Sequence, residues 1–302
     1  MSNINTGSFP ADLLPGLIKR WFGDYKDLAP LYQQFMQLES SNQAYDVFAT
    51  SIPLGVSRLT SQGGDITFDT SMEDFKVQIK NLMYTNGFEI TKAQRMNGNA
   101  FRDTKRFTEQ LRRSDRVARE IVAAGIPNHA GSSGYVMTPG DGVVLASASH
   151  PILNGTRSNI LSGAPNLSEA ALEAMSVQAK NAVDRRGLHI SVALNTLLIN
   201  PAMGPDAHRI LKSTKQVDSA NNTASYVYDT SLIKKVVENT YLSSTTQWQV
   251  TTDQPDGLIF VNRQDPMIDT DNVFLNKNSQ VSVDSYFAAG WLDDLGIYVS
   301  LA

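Results

Sequence analysis

The 302-residue sequence contains no cysteine, which removes disulfide staples, thiolate nucleophiles and cysteine-based zinc sites. Long apolar runs are missing too: no stretch reaches the roughly 20 residues that cross a bilayer. The opening residues, MSNINTGSFP, lack the basic and apolar regions of a signal peptide, so the expectation is a chain that folds in a cytoplasm. Positive charge is in deficit, with Lys+Arg 26 against Asp+Glu 30 and a net charge of -4, which argues against a dedicated duplex-DNA binder with a broad basic face. What is present is the composition of a folded protein, 41% hydrophobic and 19% charged. That length suffices for one large core or two modest ones.

Along the chain the pattern changes several times. Two short helices are expected first, in PADLLPGLIKRWFGDY and LYQQFMQLESSNQAY, forming an arm rather than a domain. From residue 51 the pattern becomes extended: IPLGVSRLT, a turn at SQGGD, ITFDT, and then FKVQIKNLMY, where Phe75, Val77 and Ile79 alternate with Lys76, Gln78 and Lys80. Gly63 and Gly64 supply the backbone freedom of the tip. Such a hairpin carries little apolar mass and is marginal alone in water, so it must lie on something else.

Residues 91–124 predict the longest helix, regular from about Ala100, with Phe107, Leu111, Ala118 and Ile121 or Val122 on one face. Arg112, Arg113, Arg116 and Arg119 take other positions. They read either as a solvated, salt-bridged face or as nonspecific contacts with a nucleic-acid backbone. NLSEAALEAMSVQAKNAVDRRG predicts a second helix, capped by Ser168 and closed by Arg185, Arg186 and Gly187. LHISVALNTLLINP follows as a strand, and NPAMGPDAHRILKS as a turn and helix built to pack. SYVYDT reads as β, SLIKKVVENTYL as a short helix, and TQWQVTT, LIFVNR and the C-terminal residues as strands. The sum is an α+β chain.

Chemical motifs are weak. GSSG and PGDG lack the spacing and βαβ context of phosphate-binding loops and read as turns. His129 and His150 lack metal-ligand spacing, so no metal and no cofactor is expected. A hydrolase built on one of them with Ser132 or Ser133 would lack the nucleophile elbow. It would also need HAGSSG and ASHPILNG to converge in one pocket. His150 reads as a turn histidine bonded to backbone.

The order of parts resembles the major capsid proteins of tailed bacteriophages, which share the fold named after the Hong Kong phage, and especially the Mu-like major head subunit group. The resemblance runs through LPGLIKRWFGDY, YTNGFEITKAQ, SHPILNGTRSN, LSEAALEAM, DRRGLHISVALNTLLINPAMGPDAHRILKS and AGWLDDLGIYVS, in the family's order. It implies an N-terminal arm over 1–50, an extended β-hairpin loop over 51–90 and a peripheral domain with a long spine helix over 91–170. An axial α/β domain over 171–264 and returning peripheral strands over 265–302 complete it. It further implies a structural protein, not an enzyme, assembling as hexamers and pentamers of an icosahedral shell around double-stranded DNA. An encapsulin-like compartment is the alternative. Intersubunit contacts are expected at the loop tip, Gln62, Gly63, Gly64 and Asp65, and in the arm, at Trp21 and Phe22. Arg112, Arg113, Arg116 and Arg119 would be inner-face basic contacts, touching packaged DNA weakly. The implied partners are further copies of the chain, a separate scaffolding protein and a portal, with no membrane. The implied place is a virion assembled in the bacterial host cytoplasm.

Overall fold

A computed structural model describes residues 30–96, 100–132, 137–138, 140–215, 224–273, 275 and 278–302. Trp21, Phe22 and the first expected helix lie outside the described residues. Strands β1 (Gln37–Ser40), β2 (Tyr45–Ile52), β3 (Met72–Lys80) and β4 (Leu82–Ile90) precede helices α1 (Lys92–Met96) and α2 (Ala100–Asn128). Then come β5 (Met137–Thr138), β6 (His150–Ile152), β7 (Gly155–Arg157), α3 (Glu169–Lys180), β8 (Leu194–Ile199), α4 (Gly204–Lys212) and α5 (Tyr226–Asp229). The chain ends with β9 (Lys235–Glu238), β10 (Trp248–Thr252), β11 (Leu258–Asn272), β12 (Ser279–Trp291) and β13 (Ile297–Ser300).

Two four-stranded sheets organise these elements, in the orders β1-β11-β12-β4 and β13-β10-β8-β9. In β12 the odd positions Val281, Val283, Ser285 and Phe287 are buried while Gln280 and Ser282 are exposed, the alternation of a sheet with one covered face. The cover is α2. Its Leu111 joins Ile268, Val281 and Val283 in one apolar cluster, while Val122 and Ile126 join Phe260, Phe287 and Trp291 in a larger one. Ile121, the other expected inward residue, is 52% exposed. A separate core beneath the second sheet gathers Leu172, Met175, Leu197, Ile199, Trp248 and Tyr298. Ala207 and Ile210 of α4 pack into it, so the turn before that helix packs as expected. Asn200 caps the 3-10 turn Pro201–Met203 that precedes α4, accepting a hydrogen bond from Ala202 N–H at 3.0 Å.

The structure corrects several local expectations. LYQQFMQLESSNQAY is not a helix but a 3-10 turn at Tyr32–Gln34 followed by strands. Tyr32, Phe35 and Met36 are drawn into the main core, and β1 then completes the edge of β11 in parallel. α3 ends at Lys180, seven residues before Gly187. Asp184 there accepts N–H bonds from Arg186 and Leu188 at 2.8 and 2.9 Å, building a tight turn that Gly187 closes at φ 90°. The expected helix SLIKKVVENTYL holds strand β9, because Val236 and Val237 pair in parallel with β8. SYVYDT instead forms α5, capped by the Ser225 side chain. Within the expected loop of 51–90, β4 leaves the ribbon to pair with β12. The C-terminal run of 265–302 divides between the sheets, since β13 pairs with β10.

Candidate assembly surface

The ribbon begins as a regular antiparallel pair, with Tyr45 opposite Lys80 and Ile52 opposite Met72. Phe48 packs against the core that holds Val77 and Ile79, so the root is well supported. Beyond Ile52 and Met72 the pairing stops, and residues 53–71 form no strand. The tip turns where Gly64 N–H donates to Ser61 carbonyl at 2.9 Å, with Gly63 at φ 78°, a left-handed value that favours glycine. Gln62, Gly63, Gly64 and Asp65 are all exposed there. So are Leu54, Val56, Leu59, Ile66 and Phe68, Leu59 and Phe68 at 103% and 89%. Fully burying such a side chain is worth roughly 1.5–3 kcal/mol. All five are left in water by the described residues of their own chain.

Charged contacts fix where this ribbon points. Asp69 accepts Gly55 N–H at 2.7 Å and the Arg186 guanidinium at 2.5 Å. Those two bonds hold the Asp69 carboxyl below its usual range. Arg185, the neighbouring residue, reaches Asp74 at 3.1 Å and lies over the Phe75 ring at 4.9 Å. The turn after α3 thus grips the ribbon's returning arm through consecutive arginines, and Asp69 ties that arm to Gly55 on the outgoing one.

Arg185 also belongs to a buried ionic knot. Arg157 clasps Asp294 with its Nε at 2.8 Å and its Nη2 at 2.5 Å, and reaches Asp293 as well. Burial pushes Asp293 up to about 6. Asp294 is buried too, but its bonds to Arg157 outweigh that and bring it to about 2. Burial pushes the Tyr298 hydroxyl beside them up to about 12. His150 is 0% exposed, with Nδ1 2.7 Å from Asp141 and Nε2 3.2 Å from the Leu145 carbonyl. A carboxylate and a carbonyl both accept, whereas a neutral imidazole has one N–H, so the site fits the doubly protonated ring. Burial opposes that charge, and Asp141 and Asp294 outweigh it, raising the His150 pKa.

Asp141, His150 and Asp294 bring ligand-type atoms within 4.8 Å of one another. Those atoms are already engaged, by Arg157, the Val143 N–H and each other, so the group is a salt-bridged joint rather than a cradle for an ion. His129 is occupied elsewhere, its Nδ1 2.9 Å from the Gly125 carbonyl of its own helix. The knot joins residues from 74 to 294 and matches no local motif. Its one sequence signal is paired charges, RR and DD, the latter set among apolar neighbours.

The arginines of α2 part company. Arg113 is exposed, and Arg112 and Arg116 are half-buried. Arg119 is 6% exposed, paired with Asp115 at 3.1 Å and lying 4.8 Å over the Phe287 ring. It holds helix to sheet, which corrects its expected place among the DNA-facing cations. Glu120 accepts the Leu31 and Tyr32 N–H groups at 2.7 and 3.1 Å, pinning the segment that enters the fold.

The fold is shared with subunits of protein shells. The capsid of an empty GTA particle aligns over 89% of this chain and 88% of that one, with a TM-score of 0.59 and 13% identity. The capsid of bacteriophage JBD30 decorated with minor capsid protein trimers aligns over 78% of this chain and 100% of its own, at 0.56 and 10%. The virus-like particle of Pyrococcus furiosus aligns over 97% and 99%, at 0.50 and 11%. No curated protein matches the sequence. The model of the phage capsid protein family matches residues 76–300, and the chain belongs to that family. Family and fold together make it a major capsid protein, a structural component of a virion.

Proposed function

We propose that the chain assembles as hexamers and pentamers of an icosahedral shell around double-stranded DNA, acting by association rather than catalysis. The observation that carries this is the ribbon: a projection tied to the turn after α3 by Arg186 and Asp69, with Leu54, Val56, Leu59, Ile66 and Phe68 left exposed by the described residues of its own chain. The tip residues Gln62 to Asp65 would lie over an adjacent subunit, and the arm with Trp21 and Phe22 would reach a further one. Each contact can be modest, because every subunit repeats it many times. Arg113, with the half-buried Arg112 and Arg116, is the cationic surface left for weak contact with packaged DNA. A scaffolding protein and a portal would be separate chains, and assembly would take place in the bacterial cytoplasm. The division into arm, loop, peripheral and axial domains belongs to the same proposal, with strand β13 lying on the axial side.

Negative-stain electron microscopy of the purified protein, with and without a scaffold, tests this. Closed shells or rings of five and six are expected. A uniform monomer in both conditions would refute it. Deleting residues 59–67 should leave a folded core that forms no shells, and normal shells from that variant would refute the ribbon's role. An encapsulin-like compartment has the Pyrococcus furiosus particle in its favour. Nuclease-resistant DNA inside particles from infected cells would decide for the phage head.

A further inference from the structure

Among the described residues, the β13-β10-β8-β9 sheet ends in a strand with no partner on its outer side. Strand β9 pairs in parallel with β8, Lys235 opposite Thr196 and Glu238 opposite Ile199. The contact extends back to Lys234, whose N–H donates to the Asn195 carbonyl at 2.9 Å. Val237 turns into the main core and is 2% exposed. Side chains alternate along a strand, so Lys234, Val236 and Glu238 share the other face. Val236 is 37% exposed, and Lys234 and Glu238 are exposed on either side of it. A side-chain carbon on Gly204 would meet Glu238 Oε1 at 2.7 Å, so this carboxylate rests at the start of α4, where a helix N-terminus favours negative charge. Neither Lys234 nor Glu238 forms an ion pair among the described residues.

An open edge strand is a template for another strand, and lysines there usually deter the pairing. The run Lys234, Lys235, Val236, Val237, Glu238 instead answers itself. Two copies related by a two-fold axis through the plane of the sheet run antiparallel, and every side chain keeps its own face, so the pairing centres on a single residue. Centred on Lys235, it sets like charges opposite each other, which is destabilising. Centred on Val237, it sets Val236 against Glu238 and leaves the lysines unanswered. Centred on Val236, it brings the two valines together, Lys235 against Val237, and Lys234 of each copy against Glu238 of the other. Of these three registers, the last alone joins opposite charges, and it does so twice.

We propose that free copies of the chain dimerise through β9 in the register centred on Val236. A two-fold contact uses up its surface within the pair and closes no ring of five or six. The dimer therefore belongs to copies outside a ring and stands whether or not the chain builds a shell. So short an edge buries less than the roughly 1,000 Å² of a stable interface, so the pair forms and parts rapidly and is best read by trapping it.

The absence of cysteine from the chain makes the trap specific. Val236→Cys sets one thiol directly opposite its copy, with Cα atoms about 4.5–5.5 Å apart, inside the range a disulfide spans. Lys235→Cys sets the two thiols diagonally, about 7–8 Å apart, beyond that range. With both variants folded by circular dichroism, mild oxidation of the full-length protein should yield disulfide dimers of Val236→Cys at least about tenfold faster than of Lys235→Cys. Equal rates, or no dimer from Val236→Cys, overturn the proposal. Added to Val236→Cys, Lys234→Glu and Glu238→Lys should each slow trapping at least about fivefold, because like charges then face each other. An equimolar mixture of these two proteins should regain the Val236→Cys rate as mixed dimers, and no gain on mixing overturns the proposal. The unaltered chain gives a readout that needs no variant to fold. Carbodiimide treatment of mixed isotope-labelled and unlabelled copies should join Lys234 of one copy to Glu238 of another, and the lack of that link overturns the register.

Discussion

At the scale of the residue, charge is placed where water is not. His150 is held protonated by two acceptors, so its folded-state pKa lies above the ordinary value. A raised pKa means the folded state binds the proton more tightly. The stability it contributes is complete below the unfolded value of about 6.5 and is lost as pH rises through the folded one. Asp293, pushed up to about 6, acts with the same sign in the window from about 4 to 6. The melting temperature should therefore fall as pH is raised from about 6.5 to 9, and His150→Gln should flatten that slope in differential scanning calorimetry. The arginines of α2 offer a second contrast. Arg119→Ala removes the charge partner of the buried Asp115, leaving it the Ser285 hydroxyl at 2.7 Å, and should cost about 3 kcal/mol in urea unfolding. Arg113→Ala, on the exposed face, should stay within about 0.5 kcal/mol.

At the scale of the element, the ribbon's root is folded and its end is waiting. The Arg186–Asp69 pair is partly exposed, so Arg186→Gln should change global stability by no more than about 1 kcal/mol. The same change frees the ribbon's direction, so amide exchange across residues 53–71 should rise and shell formation should slow. Equal exchange in parent and variant would count against the anchor. Strong periodic patterns were legible from the sequence: α2, α3 and the alternation of β3 all follow from apolar spacing. Short elements were not. KKVV and SYVY exchanged their expected states because β9 answers to the neighbouring β8 and α5 to the Ser225 cap. The ribbon's lack of apolar mass was readable in the sequence, and so was the turn at its tip. The anchor was not, since Arg185 and Asp74 lie far apart in the chain and meet only through tertiary folding. Arg119 misled for a similar reason: helical spacing gives a residue's direction but not whether a sheet stands there.

At the scale of the whole molecule, the order of segments carried what local motifs could not, because the family's pattern is spread over residues 76–300 rather than gathered in one short stretch. The two sheets are linked by the backbone itself: β10 lies in one, β11 and β12 in the other, and β13 returns to the first. At that crossing Gly257 and Gly296 touch so closely that a side-chain carbon on Gly296 would come within 2.1 Å of Gly257 Cα. Gly296→Ala should therefore cost about 3 kcal/mol or more of stability by overpacking, seen as a lower denaturation midpoint. Leu292 N–H and Asp293 N–H bond across the same seam to Gly257 and Asp256 carbonyls at 3.1 and 2.7 Å. Two stretches of backbone thus pass between the halves in opposite senses, cross-tied by their own hydrogen bonds. A pull that parts the two sheets must therefore break this backbone lacing as well as the side-chain contacts around it.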